Sequence, residues 1–259
     1  MGSDNTGAPE WHHQTVDQLH HVMGAYDFHR YASPEEVRQV RLAEFIRTEW
    51  AYALNGDPHA RTKPLIITEA GIFSPGFSAS NNPLHLSYEY GLYMADYAVQ
   101  AVSAGSWAVL AWMLDDNSHK NFTWGMWHDK PAGFKLKPWF YVWALLSRFV
   151  PAGSTVYLSE VPLSDLRLLP ARTPAESSKE TGNNWTFVLV NHGTLERRIV
   201  LHVPNGGKLR FTRYLYSRAL QKTGPDGFPV PVDTIDGDLS AGIEIVCLPE
   251  AVTLLTTLK

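Results

Sequence analysis

Pro64-Leu65-Ile66-Ile67-Thr68-Glu69-Ala70-Gly71 is an aliphatic, β-branched run closed by one carboxylate and a glycine. Such a run reads as a buried strand of a parallel sheet. The order of residues sets Glu69 at the strand's C-terminal end, the end at which parallel α/β architectures carry their chemistry.

The flanking segments repeat the same unit. Residues 22–29 read as a strand, and Ser33-Pro34-Glu35-Glu36 opens a helix with an N-cap, a proline at the first helical position and acids in the first turn. That helix is expected to run to about Leu54, where Asn55-Gly56-Asp57-Pro58 stops it. Beyond a Ser-, Pro-, Gly- and Asn-rich loop at 74–83, a second helix is expected over 86–104 and a third strand over 107–113. A long loop and a helix near 138–149 follow. None of the three strands is followed by a glycine-rich phosphate loop, so these β-α units read as segments of a (β/α)8 TIM barrel, not of a doubly wound nucleotide-binding sheet.

After Pro151 the pattern changes to short alternating stretches at 186–191, 198–203, 209–214 and 243–248, with Asn205-Gly206-Gly207 as a turn between two of them. The expected fold class is α/β plus all-β: a barrel portion over 1–151, then a small antiparallel β-sandwich over 152–259. Residues 170–184, rich in Pro, Ser, Lys and Glu, read as an exposed loop.

Composition narrows the partners. A formal net charge of -4 without a long basic run gives no electrostatic reason for nucleic acid or an anionic membrane, and neutral ligands such as sugars fit better. Nine Trp and eleven Tyr supply aromatic faces on which a sugar ring can stack. Cys247 is the single cysteine, which excludes an intrachain disulfide. No stretch reads as a signal peptide or is apolar enough to span a bilayer, so the chain as given reads as soluble. Trp11-His12-His13 and His20-His21 lack a completing ligand set, no serine sits in a Gly-x-Ser-x-Gly elbow, and no metal or other cofactor is expected.

Three consecutive strand ends resemble the last three barrel strands of the retaining glycoside hydrolases of clan A, the cellulase, mannanase and xylosidase superfamily. Tyr26-Asp27-Phe28-His29-Arg30-Tyr31 is similar to the clan's strand-six His-x-Tyr signature, Ile67-Thr68-Glu69-Ala70-Gly71 to its strand-seven nucleophile segment, and Leu110-Ala111-Trp112 to its strand-eight tryptophan. The resemblance implies that Glu69 is the nucleophile of a retaining hydrolysis, with His29 and Tyr31 as donors that orient it and Trp112 as the floor of the reactive sugar subsite. Asp115, Asp116 and Asn117 follow on a loop over the same face, where they are expected to meet sugar hydroxyls or simply to be solvated. Trp124, Trp127 and His128 are candidates for further sugar platforms.

One family feature is missing. Retaining hydrolysis needs a second carboxyl about 5–5.5 Å from the nucleophile. In the clan this glutamate follows an asparagine at the end of strand four, and the chain contains no Asn-Glu dipeptide. The segment Gly2–Gly7 resembles the loop after strand five. The expectation is therefore a C-terminal part of a longer enzyme, inactive alone, whose partners are a carbohydrate substrate and the missing N-terminal barrel half. Two other classes stay open: a non-catalytic carbohydrate-binding module and a barrel-completing subunit.

Overall fold

The structure, a computed structural model, describes residues 8–259 except 75, 79, 118–120, 160, 162, 175–183, 220 and 221. The expected loop at Gly2–Gly7 and most of the expected loop at 170–184 lie outside the described residues. The chain divides into two compact units, Met1–Pro138 and Trp139–Lys259.

The first unit is α/β, with helices α1 (Pro9–Leu19), α2 (Pro34–Arg38), α3 (Arg41–Gly56) and α4 (Tyr88–Ser103) and strands β1 (Tyr26–Ala32), β2 (Leu65–Ile72) and β3 (Ala108–Ala111). The strands form one parallel sheet in the order β1-β2-β3. Tyr26, Phe28 and Ala32 of β1 and Leu65, Ile67, Ala70 and Ile72 of β2 are buried, as are Leu42, Ala43 and Ile46 of α3 and most of α4. Helix α4 packs against β2, β3 and α3. This burial of alternate strand residues beneath amphipathic helices dominates the unit's stability.

Several local details depart from the sequence expectation. The first strand begins at Tyr26, four residues later than expected, and α1 precedes it where no helix was anticipated. The histidines of α1 fasten it: buried His12 places Nε2 3.0 Å from the Glu49 carbonyl, and His13 Nε2 lies 3.1 Å from Glu49 Oε2 while its ring stacks on Tyr52. The expected helix from Ser33 begins with the predicted cap, a reciprocal Ser33–Glu36 capping box. It then breaks at Val40, whose φ of 62° is left-handed. Buried Gln100 of α4 supports the break: its amide donates to the Val37 carbonyl at 2.7 Å, and its Oε1 accepts from Ala43 N–H at 3.2 Å. One long-range side chain thus satisfies groups that a continuous helix would have paired internally.

At the N-terminal end of the sheet, the Asp57 carboxylate accepts from Tyr26 Oη at 2.7 Å, from Lys63 Nζ at 2.5 Å and from His59 N–H at 2.8 Å. Burial opposes its ionisation, but these donors bring its pKa down to about 2.

The second unit opens with α5 (Pro138–Phe149) and continues as strands β4 (Thr155–Val156), β5 (Leu166–Thr173), β6 (Asn184–Asn191), β7 (Arg197–Leu201), β8 (Lys208–Tyr216), β9 (Asp233–Asp238), β10 (Ile243–Cys247) and β11 (Ala251–Thr256). Six of them form a sheet in the order β4-β5-β6-β11-β8-β9, antiparallel throughout, while β7 and β10 pair separately. Phe187, Leu189, Phe211 and Leu255 of the larger sheet share one apolar cluster with Leu201, Ile243, Ile245 and Cys247 of the smaller. The Asn205-Gly206-Gly207 turn joins β7 to β8, which belong to different sheets. Strand β9, Asp-Thr-Ile-Asp-Gly-Asp, has little of a strand's composition. It is an edge strand, held to β8 by the Arg213–Asp233 and Arg210–Thr234 contacts.

Candidate active site

Glu69 lies on β2, the central strand of the parallel sheet. Strand β2 runs on through Gly71 to Ile72, so Gly71 is a strand residue and not a turn. Opposite β1 the register passes from Phe28↔Ile67 directly to His29↔Glu69, and opposite β3 from Ile67↔Val109 to Ala70↔Ala111. Strand β2 therefore carries one extra residue, at Thr68–Glu69, relative to both neighbours. Such a bulge re-aims a side chain. Here it brings Glu69 level with His29, while Ile67 and Ala70 both remain in the helix-facing core.

Two side chains meet the carboxylate. Tyr31 Oη donates to Glu69 Oε2 at 2.8 Å, and His29 Nδ1 lies 3.3 Å from the same oxygen. Among the described residues both contacts fall on Oε2, which leaves Oε1 as the face for a reactant. Burial, and then the Glu69 carboxylate, push the Tyr31 hydroxyl well above its ordinary range, so it stays a protonated donor.

Gly71 makes this geometry possible. It faces Tyr31 in the β1–β2 register, and a Cβ there would sit 2.8 Å from Cδ1 and Cε1 of Tyr31. The tyrosine ring thus lies across bare backbone on its way to Glu69. It also meets Trp124 edge-to-face at 5.4 Å between centroids. Trp124, 3% exposed, is backed in turn by His85 at 4.8 Å, whose ring tilts against Tyr90 at 4.0 Å. Burial, reinforced by the Lys137 charge, lowers the His85 pKa to about 2, so this imidazole is neutral.

The loop after β3 doubles back on itself. Trp112 is half-buried; its N–H donates to the Ala70 carbonyl at 2.9 Å, one residue past Glu69, and its peptide bond to Met113 is cis. Asp115 bridges to Trp127, and Asn117 exchanges backbone hydrogen bonds with Phe122. Asp116 is turned into the loop. Its Oδ1 accepts from Lys137 Nζ at 2.6 Å and Gly125 N–H at 2.9 Å, and its Oδ2 lies 3.1 Å from His128 Nδ1. Gly125 is pressed against this turn, where a Cβ would come within 2.3 Å of the Asp115–Asp116 backbone.

The structure thus brings Glu69, His29 and Tyr31 together, sets Trp112 beside the same strand end and places Trp124 behind Tyr31 as a buried support. It ties Asp116 into a salt-bridged loop and holds Asp115, Asn117 and Trp127 in that loop's own ladder. Gly71, His85 and Lys137 escaped the sequence reading. Of these only Gly71 stands in a stretch the sequence singled out, where it reads as closing the strand; that it lies inside the strand, where a glycine marks close backbone approach, is seen only in the structure. Among the described residues no group of three His, Cys, Asp or Glu could hold a metal ion, and no helix is long and apolar enough to cross a membrane.

No protein-family model and no curated protein matches the sequence. Solved structures do match the fold. An α-L-arabinofuranosidase from Thermotoga maritima, determined as an arabinose complex, superposes with a TM-score of 0.65 at 15% identity over 97% of this chain and 56% of its own. The family 51 α-L-arabinofuranosidase AbfB from Bifidobacterium longum gives 0.62 at 10% identity, over 98% and 57%. A GH30 endoxylanase from Clostridium papyrosolvens gives 0.56 at 12% identity, over 96% and 60%. The chain therefore spans little more than half the length of these structures. Over that length it shares the mixed α/β fold of these arabinofuranosidase and endoxylanase structures.

Proposed function

We propose that this chain supplies the nucleophile-bearing part of a retaining glycoside hydrolase acting on O-glycosyl bonds of a plant-type or related poly- or oligosaccharide. The observation that carries the reading is the convergence of Tyr31 and His29 on one oxygen of a carboxylate in the C-terminal half of the central parallel strand. Tyr31 and His29 hold Oε2 and fix the rotamer, and Oε1 attacks the anomeric carbon as the glycosidic C–O bond breaks. The departing oxygen needs a proton from a second carboxyl. Asp116, the buried acid of the neighbouring loop, is engaged by Lys137 and His128 and is unsuited to that role.

The match to only 56–60% of the neighbours' lengths supports reading residues 1–151 as the last three β-α units of a TIM barrel and 152–259 as a β-sandwich, with the acid/base carried by the part not covered. The state of the sheet favours a further reading of its partner. Among the described residues both edges of β1-β2-β3 are unpaired, and Trp107 and Leu110, at and beside β3, are 66% and 50% exposed. Parallel sheets are ordinarily covered on both faces. The missing barrel half is the partner that would cover them.

The test removes the need for the second carboxyl. A 2,4-dinitrophenyl 2-deoxy-2-fluoro glycoside has a leaving group that departs unprotonated, so Glu69 can form the glycosyl ester by itself. With arabinosyl and xylosyl probes, one equivalent of dinitrophenolate should be released and the added mass should map to the 65–73 peptide, with neither seen for Glu69→Gln. A label on any other residue refutes the nucleophile assignment. Efficient hydrolysis of an ordinary aryl glycoside by the 259-residue chain alone, lost in Glu69→Gln, refutes the division of the site between two parts.

A further inference from the structure

The sequence places sugar platforms at Trp124 and Trp127, yet Trp124 is only 3% exposed and has no face to offer a ligand. The ring lying against it does. Phe77, in the loop after β2, meets Trp124 edge-to-face at 6.4 Å between centroids and Phe73 at 5.0 Å, and is 45% exposed. Resting on the proposed function, we infer that Phe77 is the apolar platform on which a neutral sugar ring of the substrate stacks beside Glu69, and so a specificity-determining residue.

A single exposed aromatic is ordinary on a protein surface. Phe77 differs in how it is held and in what it is joined to. Its loop is closed by Ser78–Asn81 backbone hydrogen bonds and anchored at its base by buried Asn82, whose amide donates to the Ile72 carbonyl at 2.6 Å. It is fastened to the loop after β3, because Thr123 donates from N–H to the Ser80 carbonyl at 2.9 Å and from Oγ1 to Asn81 Oδ1 at 2.7 Å. The exposed ring is therefore held in advance, which lowers the ordering cost of binding. It is also joined to the reactive carboxylate by an unbroken series of contacts: Phe77 on Trp124, Trp124 on Tyr31, and Tyr31 on Glu69. The other candidate platform, Trp127, is half-buried, and its backbone bridges to Asp115 and to Leu136. An exposed aromatic face connected in this way to a carboxylate suits the C–H face of an uncharged pyranose or furanose.

The test is titration calorimetry on the Glu69→Gln protein, which binds without turnover, using xylotriose, arabinotriose and cellotriose as probes. Phe77→Ala in that background should weaken the best-bound trisaccharide about tenfold, while Phe77→Trp retains or tightens it. Unchanged melting of both variants would show that the exposed ring is not needed for folding. Equal affinity of the Phe77→Ala and parent proteins, or equal loss in Phe77→Ala and Phe77→Trp, overturns the inference while leaving the glycosidase reading standing. Absence of binding by any of the three probes to the parent protein counts against that reading itself.

Discussion

Replacing Lys137 by Met tests whether Asp116 is a structural node or a ligand-binding acid. The ammonium and carboxylate are 2.6 Å apart, with side chains 1% and 9% exposed. Burial pulls the Lys137 pKa down and Asp116 holds it up, which shows how closely the pair depends on its own contact. Breaking a buried pair from one side costs about 3–5 kcal/mol, because the remaining charge stays desolvated. In Lys137→Met the carboxylate keeps the Gly125 N–H and the neighbouring His128, so the lower end, about 3 kcal/mol, is expected. The Thr123 carbonyl also loses its 3.0 Å donor. Because the chain has two compact units, a single unfolding midpoint would mix their transitions. Hydrogen exchange read on amides 122–127 isolates the loop, and 3 kcal/mol corresponds to roughly a hundredfold faster exchange there. Asp116→Asn should accelerate the same amides comparably. The double variant Lys137→Met with Asp116→Leu should be less perturbed than the two single effects combined. Exchange in Lys137→Met within about fivefold of the parent, roughly 1 kcal/mol, would refute the account and return Asp116 to the list of acids available to a ligand.

Three further outcomes are expected. Gly71→Ala forces the Tyr31 ring off the β2 backbone at a cost of about 1–3 kcal/mol, and it should slow dinitrophenolate release at least as much as Tyr31→Phe does; wild-type release would separate Gly71 from the site. Tyr31→Phe removes the 2.8 Å hydrogen bond to Oε2 and should slow labelling of Glu69 by about 10–100-fold, in keeping with one hydrogen bond to a charged group at about 1.5–3 kcal/mol, with labelling kinetics as the readout. Asp57 has its pKa depressed in the folded chain, so its contribution is fully present above about pH 4 and is lost as the pH falls towards about 2. Asp57→Asn should therefore be less stable than the parent at neutral pH and converge with it in acid, as followed by circular dichroism from pH 7 to pH 2; a constant difference over that range would remove the link to ionisation.

Much of the fold is legible locally. The 65–72 run, the cap at Ser33-Pro34-Glu35-Glu36 and the β-α-β-α-β order are carried by periodicity and by residues whose preference is strong at short range. Helix α1 was not legible, because the buried face of Pro9–Leu19 includes His12 and Thr15 beside Val16, and His12 is satisfied only by the α3 carbonyl of Glu49. The break at Val40 depends on Gln100, sixty residues further along the chain, and the polar strand β9 on the arginines of β8.

The candidate site divides in the same way. The sequence by itself determined that a lone carboxylate closes an aliphatic strand, that a His-x-Tyr pair closes the strand before it and that aromatic residues crowd the loop after the next. Those are statements about composition and period. Only the tertiary structure decided that an extra residue at Thr68 brings Glu69 level with His29, that Tyr31 crosses Gly71 to reach it, and that Asp116 and Trp124 turn inward while Phe77 stays exposed. The physical reason is that a side chain's partners are set by strand register and loop closure across tens of residues, and these free energies are absent from any local window of the chain.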